Sequence, residues 1–507
     1  MPILRRTALE LAVFLCGAVV MIYEIIGSRL VSPYIGSSTY IWTSLIGVIL
    51  GSLSLGYWLG GRLADRKPDI RQLASVIFVA AALISVTTLI KDVFLAAIST
   101  TAIMLEIKAL IAALVLFAPA SIFLGMVTPY AVKLKMLSLA ESGRTVGNLY
   151  ALSTIGSIVG TFAAGFFLVP FVGSVRTLYL ISAVLFAIAV VLFPLRLSTT
   201  NIAAVMVFVV GISVSEVTRY YLYEQNELID IDTEYSRVQV FRMTDPITSK
   251  PIRAFATDPY FAQSAVFYDS DDLVFPYARF YDLVKHFNPD FQRTLMLGGG
   301  GFTYPRKFVN TYPQATIDVV EIDPQIDEIA RKYFRLSDDS RLKIFHEDGR
   351  VFLNRTPPEK YDAIFIDAFA SLFSVPYQLT TREAVERMHN ALGDHGVIIA
   401  NIGSSIDGEA SHFLQAELAT YRSVFPQVFI FKVKPERQDT DLQNIMLVAL
   451  KNKVPADWRS DDREMATLLS HLYVGTIEAG VPALTDDLAP VEYYNSLAQR
   501  EFLAGKH

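Results

Sequence analysis

Four places between Leu297 and Asp367 carry residues able to hold and transform a nucleoside. The string LMLGGGGFTYP sets Gly298, Gly299, Gly300 and Gly301 directly after an apolar run. Glycine lets backbone press against a ligand and adopt positive φ. About 20 residues on, Glu321 ends the run TIDVVEI, where a carboxylate can take both hydroxyls of a ribose. Asp348, followed by Gly349, closes RLKIFHED and is placed to accept from an adenine amine. Asp367 closes YDAIFID, beside the position of a ligand's reactive part. No P-loop lysine follows the glycines, and Thr303 stands where the third glycine of G-x-G-x-x-G falls. The expected ligand therefore carries adenosine without phosphate, and no metal is expected.

The elements that must position these residues are legible in the alternation around them. A helix over 276–288 precedes RTLMLG, and YPRKFVNTY, PQIDEIARKYF, GRVFLNR and TREAVERMHNAL each separate one apolar strand from the next. A helix over 409–423 and the strands QVFIFKV and NIMLVAL complete the series. Near-continuous apolar strands between amphipathic helices predict a parallel sheet covered on both faces, with ligands at the carboxyl ends of its strands. Upstream, short β-branched and aromatic stretches between 227 and 268 predict a small antiparallel β unit.

The chain as a whole is 52% hydrophobic, too apolar for one ordinary soluble domain, with a mean hydropathy of +0.38. Residues 1–217 hold 14 Lys/Arg and 8 Asp/Glu, whereas residues 218–507 hold 30 and 42, together with all seven histidines. A membrane domain followed by a globular one explains the split, each part being long enough for its own core. The division predicted is 1–217 for membrane helices, 218–275 for the β unit, 276–455 for a doubly wound α/β domain and 456–507 for a helical tail. The sole cysteine, Cys16, excludes a disulfide framework within the chain. The acidic second part suits a cationic substrate and argues against nucleic acid.

These residues resemble those of the spermidine synthases, and more closely the membrane-fused spermidine synthase-like proteins of bacteria. The likeness is carried by DTEYSRVQV, the glycine loop, VVEIDPQIDEIARKYF, EDGRVFL, YDAIFIDAF and LTDDLAPVEYY. In the apolar part it is carried by YEIIGSRLVSPYIGSSTYIWTSLIGVILGSLSLGYWLGGRLAD. The resemblance implies a class I methyltransferase-like sheet that moves an aminopropyl group from decarboxylated S-adenosylmethionine to a small cationic amine. It implies that Gly298, Gly299, Gly300 and Gly349 line the nucleoside, Glu321 holds the ribose and Asp348 the adenine. Asp367 would take the proton of the attacking amine, a task that suits a carboxylate. Tyr235, Gln263, Tyr277, Asp486 and Asp487 are the amine-side candidates. A bacterial inner-membrane location and a homodimer are further implications.

The chain departs from the soluble synthases on the amine side. Their GGGDGG has Gly301 at the aspartate, and their D-S-S-D is Asp367-Ala368-Phe369-Ala370 here. Their Tyr-Gln is Tyr235-Ser236, and the string at Tyr277 continues with Ala278 and Arg279. Two alternatives follow. One is methyl transfer from intact S-adenosylmethionine, with Arg279 or Arg306 holding its carboxylate; the other is a nucleoside sensor fused to a half-transporter.

Apolar runs near 8–27, 41–61, 73–95, 102–126, 149–172 and 177–195 are each about the 20 residues a span requires. Glycine and serine spaced through them predict close helix packing. Glu24, a carboxylate within a span, has Arg29 nearby as a partner, and GGRLADR resembles the short cytoplasmic loop of major facilitator transporters. With the N-terminus inside, ten Lys/Arg fall on the cytoplasmic side and four outside. The run 202–217 has only 16 residues and ends at Glu216. It is expected to lie along the interface or to enter and return, giving six crossings and a cytoplasmic second domain.

Overall fold

The computed structural model describes residues 3–36, 38–101, 103–136, 142–193, 199–257, 261–368, 375–478 and 480–505. The chain divides into two compact units, Met1–Gln225 with Asp230–Arg237, and Asn226–Ile229 with Val238–His507.

The first unit consists of α1 (Ile3–Ile35), α2 (Thr39–Arg66), α3 (Ile70–Ser99), α4 (Leu105–Leu116), α5 (Ala118–Lys135), α6 (Ser142–Ala163), α7 (Ser174–Leu192) and α8 (Thr199–Asn226). A π-helical turn, Ala164–Val172, extends α6 past Pro170. Six helices are long and apolar enough to cross a membrane, and the pair α4–α5, bent by 54°, makes a seventh if it counts as one span. The bend falls where Pro119 lacks an N–H to continue the ladder. At the break, the carbonyl of Leu116 accepts from the Tyr23 hydroxyl and Thr87 Oγ1, each at 2.8 Å. Small residues let backbones touch, as expected. A Cβ at Gly60 would lie 2.6 Å from the Met126 Cα, and one at Gly160 would lie 2.7 Å from that of Ala18.

The seventh run differs from expectation. Rather than ending near Val217, α8 runs 28 residues to Asn226, and Asn201–Gln225 is long and apolar enough to cross. Hydropathy falls at Glu216, but the segment after it contains no Gly or Pro to stop a helix. Polar pairs one turn apart support it: the Tyr220 hydroxyl donates to Glu224 Oε1 at 2.5 Å, and Gln225 Nε2 donates to the Tyr221 hydroxyl at 2.5 Å. The 217/218 boundary therefore falls inside a helix, and the segment expected to lie along the interface is long and apolar enough to cross.

The small sheet is ordered β1 (Ile229–Asp232), β2 (Arg237–Thr244), β3 (Pro251–Ala256), β4 (Ser264–Phe267). After a 3-10 turn, Pro276–Leu283, and α9 (Val284–Phe287), strands and helices alternate. They are β5 (Arg293–Leu297), α10 (Thr303–Thr311), β6 (Thr316–Glu321), α11 (Pro324–Tyr333), β7 (Leu342–His346), α12 (Gly349–Arg355), β8 (Tyr361–Ile366), α13 (Arg382–Ala391) and β9 (Leu392–Ser404). Next come α14 (His412–Arg422), β10 (Gln427–Lys432), β11 (Gln443–Leu450), α15 (Arg463–Leu469) and α16 (Val491–Gly505). The seven strands are ordered β10-β11-β9-β8-β5-β6-β7. β7, β6, β5, β8 and β9 are parallel, whereas β11 and β10 join antiparallel. The sheet is thus mixed rather than wholly parallel. The link from β10 to β11 holds no helix, so the two strands close a hairpin where a parallel crossover needs a dozen residues or more. From β5 the chain goes outward to β6 and β7, then returns to β8 on the other side. That reversal opens a crevice at the carboxyl ends of β5 and β8.

Candidate active site

The glycine loop, Glu321 and Asp367 meet at this crevice, and Asp348 follows the end of β7 on the same edge of the sheet. The Gly298 N–H continues the β5 ladder to the Val320 carbonyl at 2.9 Å, and the Asp367 N–H reaches the Leu297 carbonyl at 2.9 Å. Gly298 has φ +91°, and a Cβ there would overlap the Asp367 carbonyl oxygen, so glycine is required twice over. Gly301 N–H donates to Ser264 Oγ at 2.9 Å, which ties the loop to β4.

Glu321 ends β6 with Oε2 accepting from Gly299 N–H at 2.9 Å and Oε1 accepting from Asp323 N–H at 3.1 Å. Its carboxylate shapes the glycine turn, and each oxygen retains a second lone pair for a ligand hydroxyl. Burial raises its carboxyl, and the two backbone donors oppose that shift. Asp348 caps α12: its Oδ1 accepts from Arg350 N–H at 2.8 Å and Val351 N–H at 3.0 Å. The other oxygen, Oδ2, faces Gln378 Nε2 at 3.4 Å.

Asp367 is the centre of a polar chain that crosses three strands. Oδ2 accepts from the Tyr277 hydroxyl at 3.0 Å, and Oδ1 accepts from Asn401 Nδ2 at 3.1 Å. Asn401 Oδ1 in turn accepts from Asn444 Nδ2 at 3.0 Å. The Tyr277 hydroxyl also lies 3.2 Å from the Gln263 carbonyl, and the Tyr281 hydroxyl lies 3.1 Å from the carbonyl of Ile366. Asp367 keeps an opening to the surface but has protein around it, and this burial pushes its carboxyl up to about 6. Asn401, Tyr277 and Tyr281 hold it lower than burial alone would. Such a group is mostly ionised at neutral pH, yet basic enough to accept a proton. Burial and the neighbouring carboxylate keep the Tyr277 hydroxyl protonated.

The structure brings Tyr277 to Asp367, and Gln263 to Tyr277 through its backbone carbonyl, but not the remaining amine-side candidates. The Gln263 side chain accepts instead from Thr257 N–H at 2.8 Å. Tyr235 groups with the helical unit, and its side chain is exposed. Asp486 is engaged elsewhere, accepting from Arg350 Nη2 at 2.6 Å and Thr381 Oγ1 at 2.7 Å. It pins the tail to α12 and α13. Asp487 is exposed. Phe369 and Ala370 lie outside the described residues. Arg306 does not turn to the glycine loop: it pairs with Asp271 at 2.9 Å in a cleft shared with Arg335. Arg279 is exposed on the 3-10 turn. Asn401 and Asn444 were invisible to pattern reading. Each is an amide in a largely apolar strand, and only the order β8-β9-β11 aligns them with Asp367.

Comparison with known proteins bears on this site. The Spermine/spermidine synthase domain family matches residues 279–436. A polyamine aminopropyltransferase of Vibrio vulnificus is 34% identical over 195 residues, 38% of this chain and 63% of that protein. Polyamine aminopropyltransferase 1 of Streptomyces coelicolor is 24% identical over 439 residues, 79% of this chain and 76% of that one. That length carries the likeness into the helical unit. A crystal structure of a probable spermidine synthase from Corynebacterium glutamicum is 26% identical, covering 54% of this chain and 94% of that chain with a TM-score of 0.41. The chain spans 63%, 48% and 44% of three of the curated relatives it matches. Behind the apolar helices, residues 279–436 of this chain are therefore similar to the spermine/spermidine synthase domain.

Proposed function

We propose that the second unit transfers an aminopropyl group from decarboxylated S-adenosylmethionine to a small cationic amine. The observation that carries the reading is Asp367, a carboxylate raised to about 6 at the carboxyl end of β8, across the crevice from the glycine loop. Glu321 and the turn at Gly298–Gly300 hold the ribose side of the donor, while Asp348 and Gly349 edge its adenine. Both assignments fit the residues present, since Glu321 has lone pairs to spare and the glycines leave no side chain between backbone and ligand. Tyr277 and Gln263 border the reacting end.

In the reaction, the amine nitrogen attacks the methylene carbon bound to the sulfonium. The C–N bond forms as the C–S bond breaks, and the bonding pair stays on sulfur, giving neutral 5′-methylthioadenosine. Asp367 attracts the ammonium form of the acceptor and takes the proton that the nitrogen must lose. Its polar chain to Tyr277 and Asn401 fixes the carboxylate for that task.

The test is turnover of the full-length chain with decarboxylated S-adenosylmethionine and a panel of diamines, with products identified by mass. An aminopropylated amine supports the reading, whereas methylated products from intact S-adenosylmethionine refute it. Asp367→Asn should lower turnover about 100-fold with little change in donor affinity, as loss of a general base does.

A further inference from the structure

Contacts within the helical unit fix the direction of every helix. Lys135 at the end of α5 pairs with Glu10 near the start of α1, and Lys133 pairs with Asp65 at the end of α2 at 2.7 Å. The Tyr130 hydroxyl accepts from Asp69 N–H at 3.3 Å, at the start of α3. These four helix ends share one end of the bundle. At the other end, Lys108 at the start of α4 donates to the Ser99 carbonyl at the end of α3, at 3.0 Å. The bent pair α4–α5 therefore traverses the bundle instead of returning.

The last three helices continue the alternation. α6 lies parallel to α1, with Gly156 against Phe14 and Gly160 against Ala18. α7 is antiparallel to α3, Phe78 meeting Phe186 at 4.8 Å and Ser85 meeting Ser182 at 2.7 Å. α8 is antiparallel to α7, as three contacts in order show. Phe186 meets Phe208 at 5.6 Å, the Tyr179 hydroxyl meets the Gly211 carbonyl at 2.9 Å, and Arg176 meets Glu216 at 3.7 Å. Seven passes result, and α8 exits opposite the start of α1.

An independent set of contacts marks the exit. Asp230–Arg237 belongs to the helical unit. Asp232 Oδ2 accepts from the Ser174 N–H at 2.7 Å at the start of α7. Arg29 in α1 donates to the Thr233 carbonyl at 3.1 Å and to the Glu234 carbonyl. After α8 the chain therefore remains at this end, and Val238 continues from it.

Charge decides which end faces the cytoplasm. Arg5, Arg6, Arg62, Arg66, Lys67, Arg71, Lys133, Lys135 and Arg144 belong to the first end. Arg196, outside the described residues, belongs to the α7–α8 link. The exit end has Arg29, Lys91, Lys108, Arg176, Arg219 and Arg237, six against ten, and Lys91, Arg176 and Arg237 pair there with Asp92, Glu216 and Asp230. Cytoplasmic loops carry the excess of Lys and Arg, so the exit end faces away from the cytoplasm.

We propose that the synthase-like unit works on the non-cytoplasmic face of the membrane and draws both its polycationic amine and its adenosyl donor from that side. This rests on the aminopropyl-transfer reading for the identity of the two substrates, not for the placement. Because the donor is a sulfonium nucleoside that does not cross lipid unaided, an export step must supply it. The cytoplasmic placement rests on a run of only 16 residues, 202–217, whereas α8 is long and apolar enough to cross.

Cysteine labelling of the full-length chain tests the placement without requiring turnover. Cys16, the only native cysteine, is 3% exposed within α1 and is replaced by serine. Val474→Cys reports on the second unit, where Val474 is 89% exposed, and Gly143→Cys reports on the basic end at the start of α6. In intact spheroplasts a membrane-impermeant maleimide should label Val474→Cys, and Gly143→Cys only after permeabilisation. The opposite pattern overturns the placement. Decarboxylated S-adenosylmethionine and amine added outside the same spheroplasts should release 5′-methylthioadenosine there. Outside labelling without that release refutes the transfer reading and leaves the placement standing.

Discussion

Removing the amide of Asn401 should move the pH dependence of turnover by an amount that the structure sets. Asn401 is 8% exposed and donates to Asp367 Oδ1 at 3.1 Å. A hydrogen bond to a charged group is worth about 1.5–3 kcal/mol. Such a donor favours the carboxylate over the acid, so its loss raises the carboxyl. At about 1.36 kcal/mol for each pH unit, the rise is about 1–2 units. Starting from about 6, the acid limb of kcat/KM in Asn401→Ala should move to between about 7 and 8. The ionised fraction at pH 7 then falls from about 0.9 to between about 0.5 and 0.1, so the rate falls about 2- to 10-fold there and recovers by about pH 9. The assay is initial release of 5′-methylthioadenosine from pH 5 to 9 with amine well below its KM, beside donor affinity measured separately. A rate that drops equally at every pH, with the limb in place, refutes the coupling. It would make Asn401 a packing residue. Asn444→Ala, which acts through Asn401, should give a smaller shift in the same direction.

Three further outcomes follow from the site. Glu321→Ala loses the anchor of Gly299 and the ribose acceptors together, so calorimetry with 5′-methylthioadenosine should show at least a tenfold weaker affinity, about 1.4 kcal/mol; unchanged affinity would remove this strand end from the site. Gly298→Ala places a Cβ against the Asp367 carbonyl at φ +91°, and backbone strain of about 1–3 kcal/mol should appear as a lower midpoint of thermal unfolding. An unchanged midpoint would show that the turn relaxes. Asp486→Asn weakens a partly exposed pair to Arg350, so it should cost at most about 1 kcal/mol and leave the KM for amine within twofold. A large rise in that KM would return Asp486 to the amine subsite.

The period of the hydrophobic pattern is a property of the chain itself, and so is the residue type at the end of each strand. Both were readable without coordinates. Apolar runs bounded by Gly298, Glu321, Asp348 and Asp367 specified strands, and doubly wound sheets place ligands at such ends. What the sequence could not reveal were relations between distant residues. Asn401 and Asn444 reach Asp367 because β9 and β11 are stacked next to β8 in the sheet order. Asp486, an amine-side candidate, and Arg306, a candidate to hold the carboxylate of S-adenosylmethionine, are engaged instead by Arg350 and Asp271. Tyr235 lies only two residues before β2, yet it belongs to the helical unit.

The last helix shows the same limit in one dimension. Hydropathy measures transfer out of water, and by that measure the segment ends at Glu216. Helix formation depends instead on backbone hydrogen bonds, and those continue to Asn226. Sequence fixed the number of positive charges at each turn of the chain, but the direction in which the chain leaves the bundle depends on how many helices complete their passage. Only packing decides that count, because a bent pair such as α4–α5 can traverse the bundle or return with the same composition, and the ion pair between residues as distant as Lys135 and Glu10 places the end of α5 beside the start of α1.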